Sequence, residues 1–267
     1  MGGTMTIDDL VAGLADRMAG QPALQALLLA GSHGRGAADA WSDLDFLGVA
    51  EPDAHQGLSQ AWLGALSALR PLVYTKAHFG GRLVNAITED WLRIDLSLVD
   101  PARFAGRFQA EFRPIIDRAS LLATLAPTPP PPAPDPARVA ATTEEFLRVL
   151  GLLAVGAGRG ETVLLVRGLG ILRDLLVDLM HEETPPAFRG GALHISRVLP
   201  GEDMALLESL PYPGPDREAL IAAHGTLAGI FLPRARALYE RLGLEWPEAF
   251  EAATRRYLKR EVGLALG

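Results

Sequence analysis

Residues 27–50 read LLLAGSHGRGAADAWSDLDFLGVA. An apolar run stops at Gly31, a glycine-rich loop follows, and a second apolar run carries Asp43 and Asp45 at its head. The two runs, 24–30 and 43–49, have the length and composition of buried strands. Residues two apart on a strand share a face, with Cα atoms about 6–7 Å apart. The pattern therefore predicts Asp43 and Asp45 together on a polar face, and Leu44 and Phe46 turned into an apolar layer. Two neighbouring carboxylates repel each other and lose solvation unless something neutralises them. A hard cation such as Mg²⁺ does so, taking one or two carboxylates and completing its shell with substrate phosphate oxygens.

The loop itself excludes several better-known sites. A Walker A loop ends in Gly-Lys-Ser/Thr, which is missing here. The dinucleotide fingerprint is G-x-G-x-x-G, whereas GSHGRG reads G-x-x-G-x-G. A hydrolase elbow needs G-x-S-x-G, and Ser32 directly follows Gly31. What remains is a turn that cradles an anion, with Gly31 allowing close backbone approach, Ser32 offering a hydroxyl and Arg35 within reach of a phosphate.

Working outward, residues 7–19 space apolar side chains at helical intervals, with Asp8 and Asp9 at the start where the helix dipole favours them. A helix is expected over 52–69, followed by three strands in PLVYTKAHF, GRLVNAIT and WLRIDLSLV. This order predicts an α/β (α+β) domain with a mixed sheet, without the regular alternation of a Rossmann fold. Seven of the ten residues 127–136 are proline, which predicts a stiff extended linker. The expected organisation is a first domain over 1–126, a linker over 127–137 and an all-α helical bundle over 138–267. The bundle helices are expected at 138–157, 160–181, 215–242 and 246–262.

Composition narrows the class. The 267 residues carry a net charge of −7 with a pI near 5.4, which argues against nucleic acid as the partner. There is no cysteine, so disulfides and thiolate metal sites are excluded. The six histidines show no H-x-x-x-H spacing, which disfavours zinc. RGGALH (189–194) matches the R-x4-H of helical ribonuclease toxins, but its paired glycines weaken the helix such a motif needs. The N-terminus has no signal-peptide pattern and no stretch reaches a membrane span. A cytoplasmic protein without membrane contact is expected.

Residues 28–49 resemble the nucleotidyltransferase superfamily of the DNA polymerase β type. The superfamily shows an apolar-Gly-Ser loop, about ten residues, then Asp-x-Asp at the head of a strand. Here these are Leu29-Ala30-Gly31-Ser32 and Ser42-Asp43-Leu44-Asp45. The superfamily adds a third carboxylate on a nearby strand. WLRIDLSLVD (91–100) offers Asp95, which alternates with apolar residues beside Arg93 and Ser97. A nucleotidyltransferase domain followed by a helical bundle is similar to the antibiotic nucleotidyltransferases that modify aminoglycosides or lincosamides. RGLGILRDLLVDLM (167–180) and GALHISRVLPGEDMALLESLP (191–211) resemble that group in style.

The resemblance implies transfer of a nucleoside monophosphate, AMP from ATP, to a hydroxyl of a small molecule, with Mg²⁺ as cofactor. It implies metal and triphosphate binding by Asp43 and Asp45, and phosphate contacts from Gly31 and Ser32. Asp95 would hold a second metal or act as general base, with Glu89 or Asp90 as the alternative base. Arg35 and Arg167 would meet phosphates, and Asp174 a cationic or polyhydroxyl acceptor; helical ion pairing competes for Arg167, Arg173 and Asp174, and Lys76 takes the same discount. An alternative is an antitoxin of the same fold that binds or adenylylates a protein partner. Such antitoxins are usually one short domain, and the bundle counts against that reading.

Overall fold

The computed structural model describes residues 5–186 and 195–267. The chain divides into two compact units, one ending at Pro130 and one beginning at Pro131.

The first unit runs α1 (Ile7–Met18), β1 (Ala26–Leu29), α2 (Gly31–Gly34), β2 (Leu44–Val49), α3 (His55–Ser67), β3 (Leu72–His78), β4 (Leu83–Thr88), β5 (Arg93–Val99), α4 (Pro101–Phe104) and β6 (Arg113–Asp117). The six strands form one sheet in the order β3-β4-β5-β2-β1-β6. β2 and β5 are parallel and every other neighbouring pair is antiparallel, so the sheet is mixed, as the element order predicts. Strand alternation sorts the side chains. Leu44 and Phe46 of β2, Ile94 and Leu96 of β5, and Val84 and Ala86 of β4 all turn to the face covered by α1 and α3. Trp62 of α3 meets Phe46 there edge-on, with ring centroids 4.6 Å apart. On the opposite face, Leu47 and Val49 are covered by Phe104, Phe112 and Leu125. That cover lies over the later residues of β2, and Asp45 near its head remains half-buried.

Local sequence explains the element ends. Thr6 and Asp9 form a reciprocal capping box at the start of α1. β2 begins at Leu44, so Asp43 stands one residue before the ladder rather than inside the expected strand. The GSHG segment, expected as an open loop, winds into the single turn α2. β6, which pairs with β1 at the sheet edge, was not expected, because RPIID is too short and too polar to register as a strand.

The second unit holds α5 (Pro136–Arg159), α6 (Thr162–Glu183), α7 (Ile195–Val198), α8 (Gly201–Ser209), α9 (Arg217–Leu242) and α10 (Glu248–Val262). The proline run does not stay extended to its end. Asp135 caps α5 by accepting from the amides of Ala137 and Arg138, and Pro136 is the first helical residue, a position where a missing N–H is harmless. The core is built on α5, α6 and α9, and Phe146 stacks on Phe231 with centroids 3.7 Å apart. Buried Glu251 is balanced by Arg236, Arg255 and the indole N–H of Trp246. The R-x4-H match at residues 189–194 lies outside the described residues. Among the described residues, no helix is long and apolar enough to cross a membrane.

Candidate active site

The parallel pairing of β2 and β5 places Asp45 level with Asp95, and the antiparallel pairing of β5 and β4 places Asp95 level with Asn85. Lys76 of β3 stands opposite Asn85, extending the row to the sheet edge. Residues directly paired across strands project to the same face. A polar row, Lys76–Asn85–Asp95–Asp45, therefore crosses four strands on the face opposite α1 and α3. The Asn85 amide donates to Oδ1 of Asp95 at 2.9 Å, fixing one carboxylate oxygen and leaving the other unengaged by that bond.

The turn after β1 is pressed against Asp45. The amide of Ala30 donates to the Asp45 carbonyl at 2.8 Å, tying the turn to β2. Gly31 has φ of +56°, and a β-carbon there would stand 2.0 Å from Oδ2 of Asp45. Glycine is required at this position twice over, for the left-handed backbone and for the space the carboxylate fills. Gly34 is constrained as well, since a β-carbon would meet the Glu111 and Leu29 carbonyls at 2.5 and 2.6 Å. Ser32 is buried, and its hydroxyl has no hydrogen-bond partner; Nε2 of His33 is likewise buried without one. Buried polar atoms are nearly always satisfied, by protein groups or by water.

Charge is concentrated here. Burial, with the negative charges of Asp43 and Asp95, pushes the Asp45 carboxyl up to about 6, against the pull of Arg35 and Arg93. Burial and Arg113 lower the His33 imidazole, opposed by Asp43 and Asp8. Asp43 is paired with Arg93 at 3.3 Å. Trp41 and Trp91 each stand two residues before this pair, and they are 89% and 73% exposed. The register Leu44↔Ile94 sets both tryptophans at the same end of the sheet. Among the described residues, no three His, Asp or Glu side chains are gathered closely enough to hold a metal ion as they stand.

No family model matches the chain, and no curated protein matches it. Among solved structures, an aminoglycoside 6-adenyltransferase from Bacillus subtilis is similar with a TM-score of 0.42. The match covers 95% of this chain and 98% of that one, with 14% of residues identical. A likeness at that level does not carry a function across.

The remaining sequence candidates lie on other elements. Asp90, in the turn after β4, is held by Arg70 and by the hydroxyl of Thr88, whose side chain is fully buried. Those bonds lower its pKa, with the Thr88 bond foremost, and make it a poor base. Glu89 lines the same open depression as Arg70 and Asp90. Thr88 projects to the apolar face, so the structure does not bring Asp90 into the aspartate row. Arg167 and Asp174 are exposed on α6, in the second unit. Arg173 donates to the Pro211 carbonyl and stacks on Tyr212 at 4.0 Å. Asn85 is the residue that sequence reading missed. Its only signal was a polar side chain among alternating apolar ones in GRLVNAIT.

Proposed function

We propose that this chain is a magnesium-dependent nucleotidyltransferase that moves a nucleoside monophosphate, AMP from ATP, to a hydroxyl of a small molecule of the aminoglycoside or lincosamide type. The observation that carries the reading is the level pair Asp45 and Asp95, with the Gly31–Ser32 turn packed directly on Asp45. The donor set fits the cofactor, because it consists of carboxylate oxygens, the hard ligands Mg²⁺ prefers. Asp45, with its raised pKa, is a carboxylate short of positive charge. Asp43 and Asp45 would hold the cation, with Asp43 shared with Arg93. When bound, the cation would neutralise the triphosphate and the carboxylates around it.

The chain's own residues would then act by position and charge. Ser32 would give its unpartnered hydroxyl to a β- or γ-phosphate oxygen, and Gly31 would let the backbone approach. Arg35, whose charge already acts on Asp45, would offset the phosphate charge. Asp95, held by Asn85, would take the proton from the acceptor hydroxyl as that oxygen bonds to the α-phosphorus. The bond from the α-phosphorus to its bridging oxygen breaks, and pyrophosphate leaves. Trp41 and Trp91 offer flat apolar surface at this end of the sheet for a base or ring. The acceptor class rests on the motif resemblance and on the acidic balance of residues 1–137, with 15 acidic against 10 basic side chains, which suits a cationic acceptor.

The test is a panel of aminoglycosides and lincosamides with ATP and with GTP, read by pyrophosphate release and product mass. A gain of about 329 mass units, one AMP group, is expected on one acceptor. Asp43→Ala and Asp45→Ala should each abolish it. Turnover at the wild-type rate in either variant would overturn the reading.

A further inference from the structure

The second unit contains a cavity of about 240 Å³ bounded by α5, α6 and α9. It serves no role in the proposed transfer. Its inner wall is apolar, with Val149, Leu153 and Leu165 buried there, and its rim carries the exposed side chains Leu152, Leu164 and Ile171. The polar side chains that line it are Arg148, Arg167 and His224, and no acidic residue does. Arg148 is engaged with Glu145. Arg167 has no ion-pair partner among the described residues.

His224 gives the cavity a direction. The ring is buried, and Nδ1 lies 2.7 Å from the Leu220 carbonyl. A carbonyl only accepts, so Nδ1 carries the proton and Nε2 of the neutral ring carries a lone pair. Burial, with the charge of Arg173, lowers the pKa of this ring against the opposing pull of the Leu220 bond. The Nε2 edge faces Gly168 of α6, where a β-carbon would stand 3.6 Å away. Gly168 also lines the cavity. The space thus presents an apolar body, one hydrogen-bond acceptor beside Gly168 and one cation with no ion pair among the described residues. Its volume lies below the roughly 300–1,000 Å³ of ordinary ligand pockets, which suits a ligand built on a single ring.

We propose that this cavity binds a small organic anion of the hydroxyaryl carboxylate class. The ring fills the apolar walls, the hydroxyl donates to Nε2 of His224, and the carboxylate meets Arg167. This site does not depend on the nucleotidyl-transfer reading, and either can fail without the other.

The probe is 3-(4-hydroxyphenyl)propanoate, with its methyl ether and its amide as controls. The full chain is titrated by calorimetry and by the imidazole resonances of His224. The probe should bind and shift His224. Removing the phenol proton, the carboxylate charge or the Arg167 charge (Arg167→Gln) should each weaken binding about tenfold, the worth of one hydrogen bond to a charged or buried group. Gly168→Leu fills the cavity from a helical position where leucine is favoured over glycine. It should abolish binding with the thermal midpoint unchanged or raised. Arg167→Gln alters an exposed side chain, so its tenfold loss still reads the site if Gly168→Leu disturbs the helix. An unshifted His224 at about 10 mM probe, the limit of a meaningful affinity, would overturn the proposal. So would equal binding of the probe and both controls, or undiminished binding in both variants. A concentration-dependent dimer abolished by Leu164→Glu, with no probe binding, would assign the cavity to a second copy of the chain and overturn it as well.

Discussion

Asp45→Asn should make the ligand-free protein more stable while removing its activity. The Asp45 carboxyl has a folded pKa of about 6 against an ordinary value of 3.8. The folded state therefore binds a proton more tightly than the unfolded chain does. The raised pKa favours folding at low pH, and that advantage is lost as pH rises from about 4 through 6. At pH 7 the ionised carboxylate weighs against the folded state. A pKa difference of about 2 corresponds to about 3 kcal/mol. The side chain is half-buried, so solvent screens part of this, and about 1–2 kcal/mol is the expected gain. Asparagine keeps the size of the side chain beside Gly31, so a packing change should not mask the effect.

Urea unfolding of wild type and variant at pH 7.5 and pH 5, without divalent cations, measures it directly. The excess stability of Asp45→Asn should fall to about half at pH 5, where the wild-type carboxyl is mostly protonated. Adding Mg²⁺ with ATP should narrow the gap at pH 7.5, because only wild type gains from a ligand that binds its folded state. A variant less stable than wild type at pH 7.5, or a difference that does not change with pH, would refute the electrostatic account of this carboxylate. It would also remove the physical reason for placing a cation there.

Gly31→Ala forces a β-carbon onto a residue with φ of +56° and into the Asp45 carboxylate. It should lower stability by about 1–2 kcal/mol from the left-handed backbone alone, and turnover by more than that, read by urea unfolding beside a rate assay. Asp95→Asn still accepts the Asn85 bond but loses its basicity. The single-turnover rate at saturating Mg-ATP should fall about 10²–10⁴-fold with nucleotide affinity unchanged, whereas rescue by excess Mn²⁺ would make Asp95 a metal ligand. Asn85→Ala frees the Asp95 carboxylate to rotate. It should lower kcat about tenfold, the worth of one hydrogen bond to a charged group, with KM for ATP unchanged.

These variants also separate what a single chain reveals from what only the fold does. Gly31 and Asp45 lie within fifteen residues, so turn chemistry and strand alternation were enough to expect them together, and the structure packs one on the other. Even there the ladder begins one residue late, at Leu44↔Ile94, and Asp43 is left free to pair with Arg93. Asp95 was legible as a polar side chain on an alternating strand, but its partner across the sheet was not. The strand order β3-β4-β5-β2-β1-β6 brings β5 between β4 and β2, and alternation within one strand says nothing about which strand lies alongside. Asn85 acquires its bond to Asp95 only through that order. Asp90 loses its place as a base for a similarly distant reason. Arg70, twenty residues earlier and just beyond α3, holds it, and the buried hydroxyl of Thr88 completes the hold. Contacts between elements thus set Asp95 and Asp90 in different surroundings, and the proposed base is Asp95. The residue best placed to move a proton is the one whose hydrogen-bond partner lies on the next strand, on the same open face as Asp45.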